Sequence, residues 1–510
     1  MKLARAVRPV AALMPAFVAG AILAQGLAPV AAVWAAPLAL LGVALLYLHA
    51  GSARRSGWIG WLLGCGYFGF GLSWIMEPFQ VDAATYGWMA PFALALLASG
   101  LSLFWAVAFW GAARLGRGDW RMFTLIGCWS LAELARAYVL TGFPWAGMAQ
   151  LAMPGELALR AVPWVGSHGF AILLLLCVLP LVLVLRRPVV ALAPPLVVIC
   201  AVAWMPDGRQ FGGRLPLTEQ TIRLVQPNAP QSEKWMPEKR WTFVQRMLEF
   251  TAAPVSTGLA AGGRPDLVIW PETAIPTLQN YIADLRPALV EAAGGAELIY
   301  GIQRQENGRY MNSAVVMSAE GEALDIYDKM HLVPFGEYMP LPALWERFGV
   351  FGLASRVRGG YAPGTQRRLL DTTAGRALPL ICYEAVFAQD VNAAPDRPDY
   401  LVLITNDAWF GSYSGPYQHL VQAQLRAAEQ GLPMVRAANT GISAIIGPYG
   451  QIRDSLALDT AGYLDARLPA ALPATVYSRS GDWPALVLAL LLTGVAALPR
   501  LGMKRRQTLA

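Results

Sequence analysis

About eight apolar stretches set the terms on which this chain can fold: Val10 to Leu27, Pro29 to Leu48, Gly57 to Met76, Gly87 to Ala113, Met122 to Leu140, Gly169 to Leu185, Pro188 to Trp204 and Trp483 to Leu498. A hydrocarbon core about 30 Å thick is crossed by about 20 apolar residues of α-helix, because a helix satisfies its own backbone N–H and C=O groups. The runs predict a polytopic α-helical membrane domain, with about seven helices in residues 1–206 and a last helix at residues 483–498. Lys2, Arg5 and Arg8 ahead of the first run would also suit a secretory leader, but the runs that follow favour a membrane anchor. With 56% hydrophobic and 14% charged residues and a mean hydropathy of +0.42, the composition argues against a purely soluble enzyme.

The net charge of +7 belongs to the apolar ends. Residues 1–204 hold 12 basic and 5 acidic side chains, residues 205–482 hold 24 and 28, and residues 483–510 hold 4 and 0. The polar middle is net acidic, which sets nucleic-acid binding aside. Lys2, Arg5, Arg8, Arg54, Arg55, Arg114, Arg117, Arg121, Arg186, Arg187, Arg500, Lys504, Arg505 and Arg506 fall on one side of the expected spans, against Arg136 and Arg160 in the opposite short loops. The positive-inside rule then places both termini in the cytoplasm and the long polar segment outside, which in a bacterium means an inner-membrane protein with a periplasmic domain. Glu133 and Arg136, three apart on one helical face within the apolar region, are expected to neutralise each other.

Residues 215–470 have the statistics of a separate α/β domain. Strand-like runs recur at Thr221 to Val225, Leu267 to Trp270, Leu298 to Ile302, Ala314 to Met317, Leu378 to Ile381, Tyr400 to Thr405 and Ser443 to Ile446. Helical patterns at Glu233 to Thr251, Tyr281 to Ala293 and Pro416 to Gln430 lie between several of them, which favours a layered sandwich. The odd cysteine count excludes a simple disulfide framework: Cys65, Cys128, Cys177 and Cys200 lie in apolar runs and Cys382 stands apart. His331 and His419 are the only histidines of the polar domain and form no ligand cluster in sequence, so no metal site is expected.

Cys382 follows the apolar strand Leu378 to Ile381 and precedes Tyr383 and Glu384, so a strand end turning toward a helix would present its thiol. A buried structural cysteine is the plainer alternative. Glu272 lies just past a second apolar strand in Trp-Pro-Glu-Thr, and Lys329 and Glu337 share the dense segment Lys-Met-His-Leu-Val-Pro-Phe-Gly-Glu-Tyr. A carboxylate beside a thiol can take its proton, and a lysine beside both can steady the charges that result. Singly, Glu272 could cap a helix and Lys329 could be a solvated surface charge.

Taken together, these three segments resemble the Glu-Lys-Cys signature of the nitrilase superfamily, and their wording resembles its membrane-embedded branch, the apolipoprotein N-acyltransferase family. The resemblance covers nearly the whole chain and implies an α-β-β-α sandwich inserted before the last of about eight spans. It implies Glu272 as general base, Cys382 as nucleophile, and Lys329, with the N–H of Tyr383, as the oxyanion's partners, with Glu337 and Glu384 in support. It further implies ping-pong acyl transfer without a soluble cofactor, from a membrane phospholipid through a thioester on Cys382 to the N-terminal amine of a diacylglyceryl apolipoprotein. The segments around Asn406, Trp409 and Trp235 resemble its pocket lining and an arm over its entrance. Trp345, Phe348 and Phe351, unusually apolar for a loop, suit a lid that dips into the outer leaflet. A membrane-tethered amidase acting on a small amide, and a scaffold or transporter with an enzyme-like domain, remain as alternatives.

Overall fold

The structure is a computed structural model that describes residues 13–153, 155–205, 215–255, 259, 263–340 and 360–494. Two compact units make up the chain. The first comprises Met1–Met76, Trp88–Asp207 and Val476–Ala510, and the second Glu77–Gly87 and Gly208–Thr475.

The first unit is helical: α1 (Met14–Ala24), α2 (Ala35–Leu48), α3 (Ala53–Gly71), α4 (Ala90–Leu115), α5 (Arg121–Tyr138), α6 (Glu156–Val178), α7 (Pro188–Trp204) and a C-terminal helix, Trp483–Gly494. Small residues set the closest packing, as expected where apolar surroundings leave no hydrophobic drive between helices. A Cβ on Gly20 of α1 would sit 2.0 Å from the Leu63 carbonyl oxygen of α3, and one on Gly66 of α3 would sit 2.1 Å from that of Phe17. Large apolar side chains face outward, among them Leu96, Val107, Val189 and Leu196, a surface that water would oppose and lipid would accept. Glu133 and Arg136 do pair, at 2.7 Å, and the Trp105 indole donates to the same carboxylate at 2.7 Å.

Among the described residues, two continuous helical stretches are long and apolar enough to span a bilayer, Ala83–Leu115 and Glu156–Leu183. A third arises if α3 and the 3-10 turn Ser73–Gln80, bent by 46°, count as one span. The remaining apolar helices α1, α2, α7 and Trp483–Gly494 are shorter. Helix α7 coincides with its expected run, whereas α2 begins only at Ala35. Within the longer stretches, Pro78 lies in the 3-10 turn, and Gly166 adopts a left-handed φ of 68° inside α6 after Pro163. The expected first and last runs extend beyond the described residues.

The second unit is built from two six-stranded sheets. The first has the order β12-β1-β2-β3-β4-β5: β1 is Leu217–Gln226, β2 Leu267–Ile269, β3 Glu297–Glu306, β4 Arg309–Met317, β5 Ala323–Asp328 and β12 Gly462–Pro469. The second runs β11-β10-β9-β8-β7-β6: β6 is Leu370–Thr372, β7 Gly375–Ile381, β8 Tyr400–Thr405, β9 Met434–Ala438, β10 Ala444–Ile446 and β11 Ile452–Ser455. Each has a parallel centre, β1-β2-β3 in one and β7-β8-β9 in the other.

Strands buried on both faces explain the continuous apolar runs read in sequence. Along β2, Leu267 and Ile269 join Ile381, Val402 and Ile404 in the core between the sheets. Val268 and Trp270 point the other way, onto α8 (Arg240–Ala252) and α9 (Arg286–Ala293). On the second sheet Leu401 and Leu403 pack against Leu420 and Ala423 of α10 (Gly415–Gln430). The result is a nitrilase-like α-β-β-α sandwich. Helix α8 starts later than the helical pattern from Glu233 suggests, because residues up to Lys239 form turns.

One buried ion pair ties the edge of the first sheet together. Arg223 Nε lies 2.7 Å from Asp465 Oδ1, both side chains are fully buried, and the guanidinium also donates to the carbonyls of Thr251 and Pro254, each at 3.0 Å. Asp465→Ala would strand that guanidinium and is expected to cost about 3–5 kcal/mol, read as a lowered urea midpoint of the purified protein. Arg223→Met combined with Asp465→Leu is expected to recover much of the loss.

Candidate active site

Glu272, Lys329 and Cys382 arrive from three different strand ends. Glu272 follows β2, Lys329 follows β5, and Cys382 follows β7 at the start of a 3-10 turn, Cys382–Val386. The carboxyl ends of parallel strands in α/β folds open into a shared crevice, which is why remote segments meet there.

All the side chains are buried: Glu272 is 6% exposed, Lys329 1%, Cys382 5% and Glu337 5%. Lys329 Nζ lies 2.9 Å from Glu337 Oε2 and 3.5 Å from Glu272 Oε1. Burial alone would disfavour its charge, but the two carboxylates outweigh that and hold the amine above the ordinary lysine range. Burial pushes the Cys382 thiol the other way, well above its usual value, and the negative charge of Glu272 adds to this while Lys329 opposes it. The resting site is therefore a neutral thiol beside a charged lysine and its carboxylates.

Hydrogen bonds aim both carboxylates. Asn312 Nδ2 donates to Glu272 Oε1 at 2.7 Å and to Glu337 Oε1 at 3.1 Å. The Asn406 N–H donates to Glu272 Oε2 at 2.8 Å, and the Val333 N–H donates to Glu337 Oε2 at 2.8 Å. Asn312 was not legible as a site residue, although a fully buried amide next to the apolar half of β4 is the kind of signal that could have drawn attention to it.

Cys382 itself adopts a left-handed φ of 52°, a strained conformation for a residue with a side chain. Glu384 stabilises the turn. Its carboxylate accepts from the Ile381 N–H at 2.8 Å, the Met330 N–H at 2.9 Å and the Tyr327 hydroxyl at 2.7 Å, so it joins the Cys382 turn to the segment of Lys329. Behind the turn, His419 Nε2 lies 3.2 Å from the Cys382 carbonyl oxygen, and its Nδ1 lies 2.9 Å from Asp407. Burial works against the Asp407 charge, but Arg436 and His419 hold its carboxyl well below the usual range. Arg436 lies fully buried at the middle of the otherwise apolar β9, which the sequence reading did not identify as a strand.

The remaining expected residues are placed unevenly. Asn406 sits at the centre, its side chain donating to Gln231 Oε1 at 2.8 Å. Tyr383 is buried with its ring 4.9 Å from that of Phe387. Trp235 is half-buried, its ring 5.9 Å from Lys234 Nζ, and Trp409 is half-buried on the turn Asp407–Trp409. Trp345, Phe348 and Phe351 lie outside the described residues.

Because the thiol is neutral at rest, iodoacetamide labelling of Cys382, followed by peptide mass spectrometry, is expected to keep rising by up to about tenfold per pH unit between pH 7 and 9. Lys329→Met removes a cation that favours the thiolate and is expected to slow labelling further. A plateau below about pH 8 would contradict this reading of the site.

Two family models match the chain. That of the apolipoprotein N-acyltransferase N-terminal domain matches residues 19–180, and that of the carbon-nitrogen hydrolase matches residues 221–475. An apolipoprotein N-acyltransferase of Rhodopseudomonas palustris is 38% identical over 85% of this chain and 84% of its own. One from Brucella suis biovar 1 is 35% identical over 92% and 90%. Among solved structures, an amidase from Nesterenkonia sp. aligns over 51% of this chain and 94% of its own at 19% identity, with a TM-score of 0.37, too low to bear weight. Relatives above 30% identity that run nearly end to end, together with models matching both parts of the chain, show that it belongs to the apolipoprotein N-acyltransferase family.

Proposed function

We propose that this chain is an N-acyltransferase that moves an acyl chain from a membrane phospholipid to the N-terminal amine of the diacylglyceryl cysteine of apolipoproteins, through a thioester on Cys382. The observation that carries this is the buried meeting of Glu272, Lys329 and Cys382 in a chain of that family, whose other unit is apolar helix.

In the first half-reaction Glu272 takes the thiol proton as sulfur attacks the ester carbonyl. The oxyanion forms against the Lys329 ammonium and the Tyr383 N–H. Collapse breaks the carbon–oxygen bond, the departing lysophospholipid oxygen receives the proton from Glu272, and the acyl group stays on sulfur. In the second, the lipoprotein's α-amine attacks the thioester and Glu272 accepts a proton from nitrogen. The carbon–sulfur bond then breaks, the amide leaves, and the thiolate regains its proton. A thiol that is neutral at rest suits a base that acts as the bond forms.

Residues 1–206 and 483–498 are proposed as membrane domain and final span, about eight spans in all, around a catalytic domain at residues 215–470. Both termini lie in the cytoplasm and the catalytic domain in the periplasm of the inner membrane. Donor and acceptor are both lipids, so a membrane-borne site spares each of them about 0.8 kcal/mol per CH₂ of exposure to water.

Intact mass of the purified protein after incubation with phospholipid is expected to show a hydroxylamine-labile acyl adduct that Cys382→Ser abolishes. Glu272→Gln is expected to slow its formation by about 10²–10⁴-fold. A folded wild-type protein that forms no adduct, but releases ammonia from small amides, would indicate a tethered amidase instead.

A further inference from the structure

Lys234 is a buried lysine that the reaction above does not use. It is 4% exposed, and its Nζ donates to the Glu272 main-chain carbonyl at 3.2 Å and to Thr273 Oγ1 at 3.1 Å. Both acceptors are neutral, whereas Lys329 is paired with two carboxylates. An ammonium buried without a contacting anion is costly, and burial lowers this amine to about 8 even though the Glu272 charge nearby opposes the shift. Such a cation needs a reason other than stability.

The groups it holds belong to the turn that carries Glu272. Thr273 has a left-handed φ of 44°, unfavourable for a β-branched residue. One side of this turn is stitched to β3. The Ala274 N–H donates to the Gly301 carbonyl at 2.8 Å, and a Cβ on Gly301 would lie 2.6 Å from Glu272 Cα. Lys234 holds the other side. The adjoining cavity, lined by Lys234, Pro271, Ala274 and Asn439, has a volume of about 10 Å³, room for a single water and far too small for a lipid or peptide.

Its own segment is anchored to the site as well. Gln231 accepts from Asn406, Asn439 Nδ2 donates to the Ala229 carbonyl at 2.7 Å, and the half-buried Trp235 ring stands next to Lys234. We propose that Lys234 is a positioning residue for the general base: it fixes the left-handed Glu272–Thr273 turn, hence the direction of the Glu272 carboxylate, and links that direction to the segment bearing Trp235. This rests on the assignment of Glu272 as the base.

The test is single-turnover formation of the Cys382 acyl adduct by the full-length protein in micelles containing phosphatidylethanolamine, with rate constant and amplitude measured separately across donor concentrations. Lys234→Met is expected to lower the maximal rate constant by about 10–100-fold, as a misdirected catalytic group does, while the half-saturating donor concentration stays within about twofold. Thr273→Val, which removes one of the two acceptors, is expected to give a smaller loss of the same kind. A Lys234→Met protein with reduced amplitude but a wild-type rate constant would show a merely structural role and overturn the proposal. A loss confined to donor affinity would also overturn it. A wild-type protein that forms no adduct while Cys382 remains alkylatable would overturn the base assignment itself, and this inference with it.

Discussion

Two carboxylates and one lysine, closed off from water, are what the rest of the catalytic unit is arranged around. Two carboxylates so close together repel, and a cation between them offsets that repulsion. Lys329 fills that place, and the Asn312 amide bridges the same two groups. The cluster can exist only where strand ends of the first sheet deliver Glu272, Asn312 and Lys329 to one point, while the second sheet delivers Cys382 and Asn406. The double-sheet sandwich satisfies that geometric requirement.

Charge is distributed unequally across the site. The carboxylates of Glu337 and Glu272 hold the Lys329 amine charged on one side, while burial keeps the thiol neutral on the other. Behind the thiol, a second polar set of Asp407, His419 and Arg436 supports the backbone of the Cys382 turn through the Cys382 carbonyl. A protonated thiol among fixed charges stores no thiolate for stray electrophiles.

Strand β9, Met434–Ala438, broken by Arg436, left no continuous apolar run to read, but the other parallel core strands were legible because both of their faces are apolar, as at Tyr400–Thr405, where expected and observed bounds coincide. Edge strands were not. Strand β11, Ile452–Ser455, is exposed along its length, and β5 is exposed or half-buried except at Tyr327 and interrupted by Asp325, so neither leaves a continuous apolar run to read. Helix α10 began within one residue of its expected start, yet nearly all its residues are buried, including Gln418, Gln422 and Glu429, which an amphipathic pattern would have turned outward. Asn312 and Lys234 were invisible as site residues for a similar reason: one polar residue in a strand or turn does not disclose which carboxylate it will meet.

Local chemistry determined a good deal from sequence alone. Long apolar runs require helices in an apolar medium, continuous β-branched runs require buried strands, and a carboxylate, a lysine and a thiol each placed just beyond such a run suggest reactive groups at strand ends. Tertiary structure decided everything that depends on distance: that Glu337 pairs with Lys329, that Asn312 spans two carboxylates, that Cys382 takes a left-handed turn, and that some apolar runs break into shorter helices. Those outcomes depend on contacts between residues tens or hundreds of positions apart, and on burial that changes the energy of a charge, neither of which any local pattern encodes.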